Sequence, residues 1–209
     1  YGDIEDLPRV EERIGKPLSP YAVSKRTNEL YAHIFSTVYG MEIIGLRYFN
    51  VFGKNQDPDS PYAAVIPKFF KSLLNEEPPT IYGDGETTRD FCYVENVVHA
   101  NLLAMEVNDA EAFNQVYNIA YGKQTSLNEL FRMIKEIIVE YLDNNGYKEK
   151  AERILKIEPV YGPFRKGDIR HSLADISKAK KLLEYEPRVE VREGLRLCLK
   201  FYANKNYTG

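Results

Sequence analysis

The sequence predicts an α/β fold, and three stretches carry that expectation. A helical apolar period opens at Pro20 and stops at Gly40, a short apolar run follows it directly, and a capped amphipathic stretch begins after Ser126. In the first, Ala22, Thr27, Leu30, Tyr31, Ile34, Phe35 and Val38 recur at three- and four-residue steps, punctuated by Lys25, Arg26 and Glu29. In the second, residues 41–53 are apolar, aromatic and β-branched, as suits a strand covered on both faces. A helix leading into a buried strand is the layering of α/β proteins. In the third, Ser126 and Glu129 form a capping-box pair ahead of Leu127, Leu130, Phe131, Ile134, Ile137, Ile138 and Tyr141, which lie on one helical stripe.

The other elements follow from the same signals. Residues 54–62 turn to Asp, Pro, Ser and Asn, a loop and a doorway into a second subdomain, and an apolar helix is expected over 62–74. Residues 80–85 read as a strand entering a glycine turn, and 91–94 as a strand leading into a helix over about 96–105. Residues 116–120 form a further strand. The polar, Gly-containing stretch 143–153 is expected to be an exposed excursion, and 192–202 a last helix with Leu195, Cys198, Leu199 and Tyr202 on one face. No internal repeat appears.

Composition narrows the function. With 209 residues and 44% apolar side chains the chain can bury one sizeable core or two small ones, which excludes a disordered or fibrous protein. Its 28 basic and 31 acidic side chains leave a net charge of −3, and the basic ones are scattered, so no nucleic-acid partner is expected. No run approaches the roughly 20 apolar residues that span a bilayer, and the first residues lack a signal-peptide pattern; no membrane partner and a cytoplasmic location are expected. Cys92 and Cys198 are expected as buried thiols. His33, His99 and His171 have no ligand spacing, so no metal site is expected and partly buried structural histidines are the default. Asp84, Glu86 and Asp90 flank glycines and are expected in a solvated turn rather than as a glycosidase pair. Residue 1 is Tyr, not Met, from which a missing N-terminal part is expected.

The chemistry starts at Tyr21 and Lys25, four residues apart and so on one helical face. A phenol of ordinary pKa, about 10, is a feeble base near neutrality, but a neighbouring ammonium favours the phenolate. Such a tyrosine could take a proton from a sugar hydroxyl. On spacing alone, a surface helix with an incidental Tyr and Lys is the commoner meaning.

Context changes this. Pro20 with Tyr21-Ala22-Val23-Ser24-Lys25, followed by Arg47-Tyr48-Phe49-Asn50-Val51-Phe52-Gly53, resembles the extended short-chain dehydrogenase/reductase family. Further pieces continue in order: Ala63-Ala64-Val65-Ile66-Pro67, Tyr82-Gly83-Asp84-Gly85 with Arg89-Asp90-Phe91, and Arg165-Lys166-Gly167-Asp168. Within that family the chain is most similar to bacterial and archaeal UDP-N-acetylglucosamine 4-epimerases.

The resemblance implies a fold: the C-terminal part of a Rossmann-type doubly wound parallel sheet plus a smaller α/β substrate-binding domain. Residues 1–60, with 91–122 returning, would belong to the NAD-binding domain, and 61–90 and 123–209 mainly to the UDP-sugar domain. It also implies roles. Tyr21 would be the base that removes the 4-hydroxyl proton as hydride leaves C4 for NAD. Lys25 would depress the tyrosine pKa and hold the nicotinamide ribose, with Tyr48 beside the nicotinamide. The 4-keto sugar would turn over and take the same hydride on its other face. Asn50 would bind the substrate near its diphosphate, Ala64, Val65 and Thr80 the uridine, Arg89 and Arg165 the diphosphate, and Asp168 the ribose hydroxyls. The arginines suit phosphate on physical grounds too, although each could be a surface ion-pair partner. Ser172, at the sugar end, would leave room for an N-acetyl group; a serine capping the turn before Asp175 is the plainer meaning. A homodimer through the Tyr21 helix is implied as well.

The glycine-rich G-x-G-x-x-G turn of the family and its catalytic Ser or Thr are not in this chain; Gly83-Asp84-Gly85 has Thr at position 88 and follows substrate-domain signals. Activity is therefore expected of the full-length enzyme and not of this chain alone. A 4,6-dehydratase, decarboxylase or UDP-glucuronate 4-epimerase shares the Tyr-Lys pair, and a non-catalytic nucleotide-sugar binding module is the alternative from another class.

Overall fold

The computed structural model describes residues 1–60, 64–165, 167 and 169–204. It contains seven α-helices and eight short strands among those residues, in two compact units. The first unit gathers Tyr1–Val51, Asp90–Lys123 and Ser172–Arg188; the second gathers Phe52–Arg89, Gln124–His171 and Val189–Gly209.

In the first unit, α1 (Pro20–Tyr39) is started by Ser19, whose side chain accepts from the Ala22 N–H at 3.1 Å, and by Pro20, whose fixed φ and missing N–H suit a first turn. Gly40 ends it at φ 65°, a left-handed cap. Strand β1 (Ile44–Tyr48) then pairs in parallel with β6 (Gln115–Ile119), Arg47 standing opposite Asn118. The expected strand over 41–53 is broken at Phe49-Asn50, after which β2 (Val51–Phe52) resumes. Helix α3 (Val94–Glu106) leaves directly from β5 (Cys92–Tyr93). The core sets Phe49, Cys92, Val97, Ala100, Tyr117 and Ile119 against Ala179, Leu183 and Tyr185. The last three lie on and just after α6 (Ser177–Leu183), an element without a sequence expectation. Residues 172–188, read from sequence with the second domain, pack here because these apolar side chains are buried against β6 and α3.

In the second unit, α2 (Val65–Leu74), α4 (Leu127–Asn144) and α7 (Val191–Asn204) bury their apolar stripes together. Phe69 meets Phe131 edge-on at 6.2 Å, and Phe70 stacks on Tyr202 at 5.1 Å. The capping box expected at Ser126 and Glu129 is present in both directions, at 3.1 and 2.8 Å. Strand β3 (Thr80–Tyr82) pairs in parallel with β8 (Val160–Gly162), and β4 (Thr88–Arg89) antiparallel with β7 (Thr125–Ser126). The helix expected over 62–74 is described from Val65 on, residues 61–63 lying outside the described residues.

Three expectations need refinement or correction. Residues 143–149, 152 and 153 are exposed, as expected, but the stretch is not irregular throughout: after a turn at Gly146, α5 (Lys148–Leu155) packs on α4 with Ala151 and Ile154 buried. Two apolar residues three apart make too narrow a stripe to stand out among charged neighbours. Asp90 is not in a solvated turn; it is fully buried. His33 and His171 are exposed rather than partly buried, and His171 Nδ1 lies 3.0 Å from Thr88 Oγ1.

Both cysteines are buried, and burial pushes each thiol up to about 12. Among the described residues, no helix is long and apolar enough to cross a membrane, and no three His, Cys, Asp or Glu side chains are grouped to hold a metal ion.

Candidate active site

Tyr21 and Lys25 occupy the first two turns of α1, and both side chains are exposed, Tyr21 by 70%. The Lys25 Nζ lies 5.3 Å from the centroid of the Tyr21 ring, so the pair meets across one turn as the spacing requires. Two hydroxyls on this helix donate back to its own carbonyls, Ser24 to Tyr21 at 2.8 Å and Thr27 to Val23 at 3.0 Å.

Tyr48 ends β1 with its ring exposed, and its hydroxyl donates to Asn101 Oδ1 at 3.1 Å. Asn50 is exposed one residue past the buried Phe49, and its carbonyl accepts from the Cys92 N–H at 3.2 Å. Ser172 is half-buried. Three residues on, Asp175 Oδ1 accepts from the Ser177 N–H at 2.8 Å at the start of α6.

These residues stand on a polar network that sequence reading did not reach. Glu29, one turn beyond Lys25, clasps Arg47 at 2.6 and 3.0 Å, and Arg47 also donates to the Glu11 carbonyl at 3.0 Å and lies 5.0 Å from the Tyr1 ring centroid. Burial works against the Glu29 charge, but hydrogen bonds from Arg47 and Arg26 outweigh it and hold the carboxyl below its ordinary value. Asp90 accepts from the backbone N–H groups of Tyr121, Gly122 and Ala174 at 3.1 to 3.2 Å, which ties the loop after β6 to the segment bearing Ser172. A groove of about 530 Å³ in this unit, lined by Tyr121, Lys123, Asp175 and Lys180 among others, contains none of the expected site residues.

In the second unit, Ala64 caps the start of α2 and Val65 is its first residue. Thr80 and Tyr82 are exposed on β3, and the Arg165 guanidinium lies 3.8 Å over the Tyr82 ring. Gly83, at φ 85°, lies so close to Phe164 that an added Cβ would stand 2.6 Å from its ring. Arg170 reaches Asp84 at 2.6 Å and keeps that carboxyl below its ordinary value. Arg89 is half-buried and donates to the Thr88 carbonyl at 2.8 Å. Asp168 and Lys166 lie outside the described residues. The structure thus brings Tyr21 to Lys25, and Arg165 to the strand bearing Thr80. The Tyr82–Phe164–Arg170 cluster was visible only as the Tyr82-Gly83-Asp84-Gly85 motif, because its partners are about 80 residues away in sequence.

Comparison with known proteins gives this geometry a setting. Residues 1–198 match the family described as GDP-mannose 4,6 dehydratase. A relative in Methanocaldococcus jannaschii named as a putative UDP-glucose 4-epimerase is 37% identical over 208 residues, covering 100% of this chain and 61% of the relative. The UDP-N-acetylglucosamine 4-epimerase of Methanobrevibacter ruminantium, solved with UDP-N-acetylmuramic acid, superposes with a TM-score of 0.84 at 40% identity, over 98% of this chain and 60% of that one. The Thermus thermophilus UDP-glucose 4-epimerase, solved with NAD, superposes with a TM-score of 0.77 at 28% identity, over 98% and 61%. This chain spans about three fifths of the length of these proteins.

Proposed function

We infer that this chain, which belongs to the GDP-mannose 4,6 dehydratase family and is of the extended short-chain dehydrogenase/reductase type, carries the acid–base pair and the sugar-nucleotide contacts of a UDP-sugar 4-epimerase. The finer reading is an NAD-dependent enzyme that interconverts UDP-N-acetylglucosamine and UDP-N-acetylgalactosamine, with UDP-glucose and UDP-galactose as a second pair. The observation that carries it is the Tyr21–Lys25 pair, exposed and in contact across one turn.

Tyr21 takes the 4-hydroxyl proton from the hexose and returns it once the carbon has inverted. Lys25, whose ammonium lies against the Tyr21 ring, offers three N–H donors to a ribose diol. That donor set, open to solvent on one helix face, fits the ribose side of a dinucleotide, with Tyr48 as the aromatic neighbour. NAD, when bound, supplies a hydride acceptor that gives the same hydride back. Asn50 holds the substrate near its diphosphate, and Arg89 and Arg165 present planar paired donors to the phosphate oxygens. Arg165 stacked on Tyr82 supports this, since the same guanidinium can hold an aromatic face and a phosphate. Ala64, Val65 and Thr80 line the uridine, Asp168 takes its ribose, and Ser172 leaves space for the N-acetyl group. The exposed apolar side chains Leu30, Ile34 and Val38 support a homodimer through α1.

The test is the full-length enzyme incubated with UDP-N-acetylgalactosamine and with UDP-galactose, the epimers being resolved, alongside Tyr21→Phe. Turnover of both sugars, faster for the N-acetylated one, and loss of more than about a thousandfold in Tyr21→Phe with UDP binding kept, is expected. Wild-type turnover in Tyr21→Phe refutes the base assignment. A 4,6-dehydratase, the activity in the family's description, would instead consume substrate without forming an epimer.

A further inference from the structure

We propose that the Glu29–Arg47 pair positions the Tyr21–Lys25 dyad, setting the rotation and axial register of α1 against β1; this rests on the function proposed above. Three observations lead to it. First, α1 buries none of its twenty residues, so apolar packing does not fix its rotation within the first unit. Second, Glu29 follows Lys25 by four residues and Tyr21 by eight, which puts all three on adjoining turns of one face. Third, the Glu29 carboxylate meets Arg47 through two nitrogens, at 2.6 and 3.0 Å, with both side chains mostly buried, and takes a third bond from Arg26 at 2.7 Å.

A two-point clasp of this kind fixes direction as well as distance, because the planar fork and the carboxylate must be coplanar. Arg47 is itself held. Its remaining nitrogen donates to the Glu11 carbonyl at 3.0 Å, and its strand neighbour opposite, Asn118, donates from its side chain to the carbonyls of Arg9 and Asp175 at 2.8 and 3.0 Å. Tyr48 is the next residue on β1. One rigid base therefore serves both the helix that carries the proton acceptor and the aromatic side chain assigned to the nicotinamide. Neither Glu29 nor Arg47 touches a reacting atom in this scheme; both act through Tyr21 and Lys25. A displacement of about 1 Å at a reacting group can cost on the order of a hundredfold in rate, so the clasp has leverage on turnover without touching substrate.

The test uses the full-length enzyme with Glu29→Gln, Arg47→Lys and the reversed pair Glu29→Arg with Arg47→Glu, each counted by its UDP-binding sites. Glu29→Gln and Arg47→Lys are expected to lower kcat per binding site by about ten- to a hundredfold while KM for the UDP-sugar and the Kd for UDP stay within about twofold, and the reversed pair to recover part of the loss. A purely structural role would lower the number of binding sites and leave kcat per site at the wild-type value, and that result overturns the proposal. So does a Arg47→Lys enzyme with unchanged kcat, since a lysine keeps the charge and loses the fork. Tyr21→Phe separates the two readings: if it retains turnover the proposed function falls, whereas an inactive Tyr21→Phe beside a fully active Glu29→Gln refutes the positioning role alone.

Discussion

Asp90 gives the sharpest test of the framework that carries the site. Its carboxylate is fully buried and accepts from the N–H groups of Tyr121, Gly122 and Ala174. Burial is the largest influence and pushes the group up to about 6, against the pull of those N–H donors. In the unfolded chain an Asp titrates near 3.9, so between roughly pH 4 and pH 6 the folded form keeps a proton that the unfolded form has lost. The contribution to stability is whole below about pH 4 and is lost as pH rises through about 6. The difference of about two pH units, at about 1.36 kcal/mol each, amounts to roughly 3 kcal/mol. Asp90→Asn cannot titrate and removes that slope, and its amide NH₂ faces backbone donors in place of a second acceptor oxygen. The assay is amide hydrogen exchange of the segments holding Tyr121–Gly122 and Ala174, measured from pH 4 to pH 7 and corrected for intrinsic rate. Wild-type protection should fall by up to about a hundredfold across that window, and Asp90→Asn should show a flat profile at lower protection. Equal slopes in the two proteins would refute the assignment.

Two further outcomes follow from the same structure. If Ser172 borders the N-acetyl group as proposed, Ser172→Tyr should lower kcat/KM for the N-acetylated UDP-sugar about tenfold relative to the plain hexose; equal losses on both would remove Ser172 from substrate choice. Ile34→Asp in the full-length protein should convert a dimer to a monomer in sedimentation, because six half-exposed side chains, Leu30, Ile34 and Val38 from two copies, contribute about 1 kcal/mol each when covered; a wild-type monomer at micromolar concentration would rule that contact out.

What could be read in advance was what the chain encodes locally. The Pro20 start and Gly40 stop of α1, the capping box of α4 and the apolar face of α7 depend on residues within a few positions of one another. The Tyr21–Lys25 contact belongs to the same class, since helical geometry alone brings i and i+4 together. Long-range placement was not legible. Glu29 and Arg47 are 18 residues apart and stood in the sequence as a charge punctuating a helix and as an arginine within a strand motif. Asp90 had the look of a turn residue because its partners, at 121, 122 and 174, are backbone amides that leave no residue-type signature. The return of residues 172–188 to the first unit escaped notice for a similar reason: Ala179, Leu183 and Tyr185 make a short stripe whose burial depends on which surface it meets.

The helix α1 shows why a surface element can be well specified. At about 100° per residue, Tyr21, Lys25 and Glu29 fall within roughly a quarter of the circumference, while Leu30, Ile34 and Val38 fall roughly opposite. The polar stripe ends in the Arg47 clasp, and the apolar stripe is exposed along its length. A second copy covering the apolar stripe would therefore leave the dyad uncovered and press the helix from behind, loading the same clasp that orients it. The two faces are separable by mutation for that reason: a charge at Ile34 acts on assembly first, and a change at Glu29 acts on turnover first, even though both residues sit within five positions on one helix.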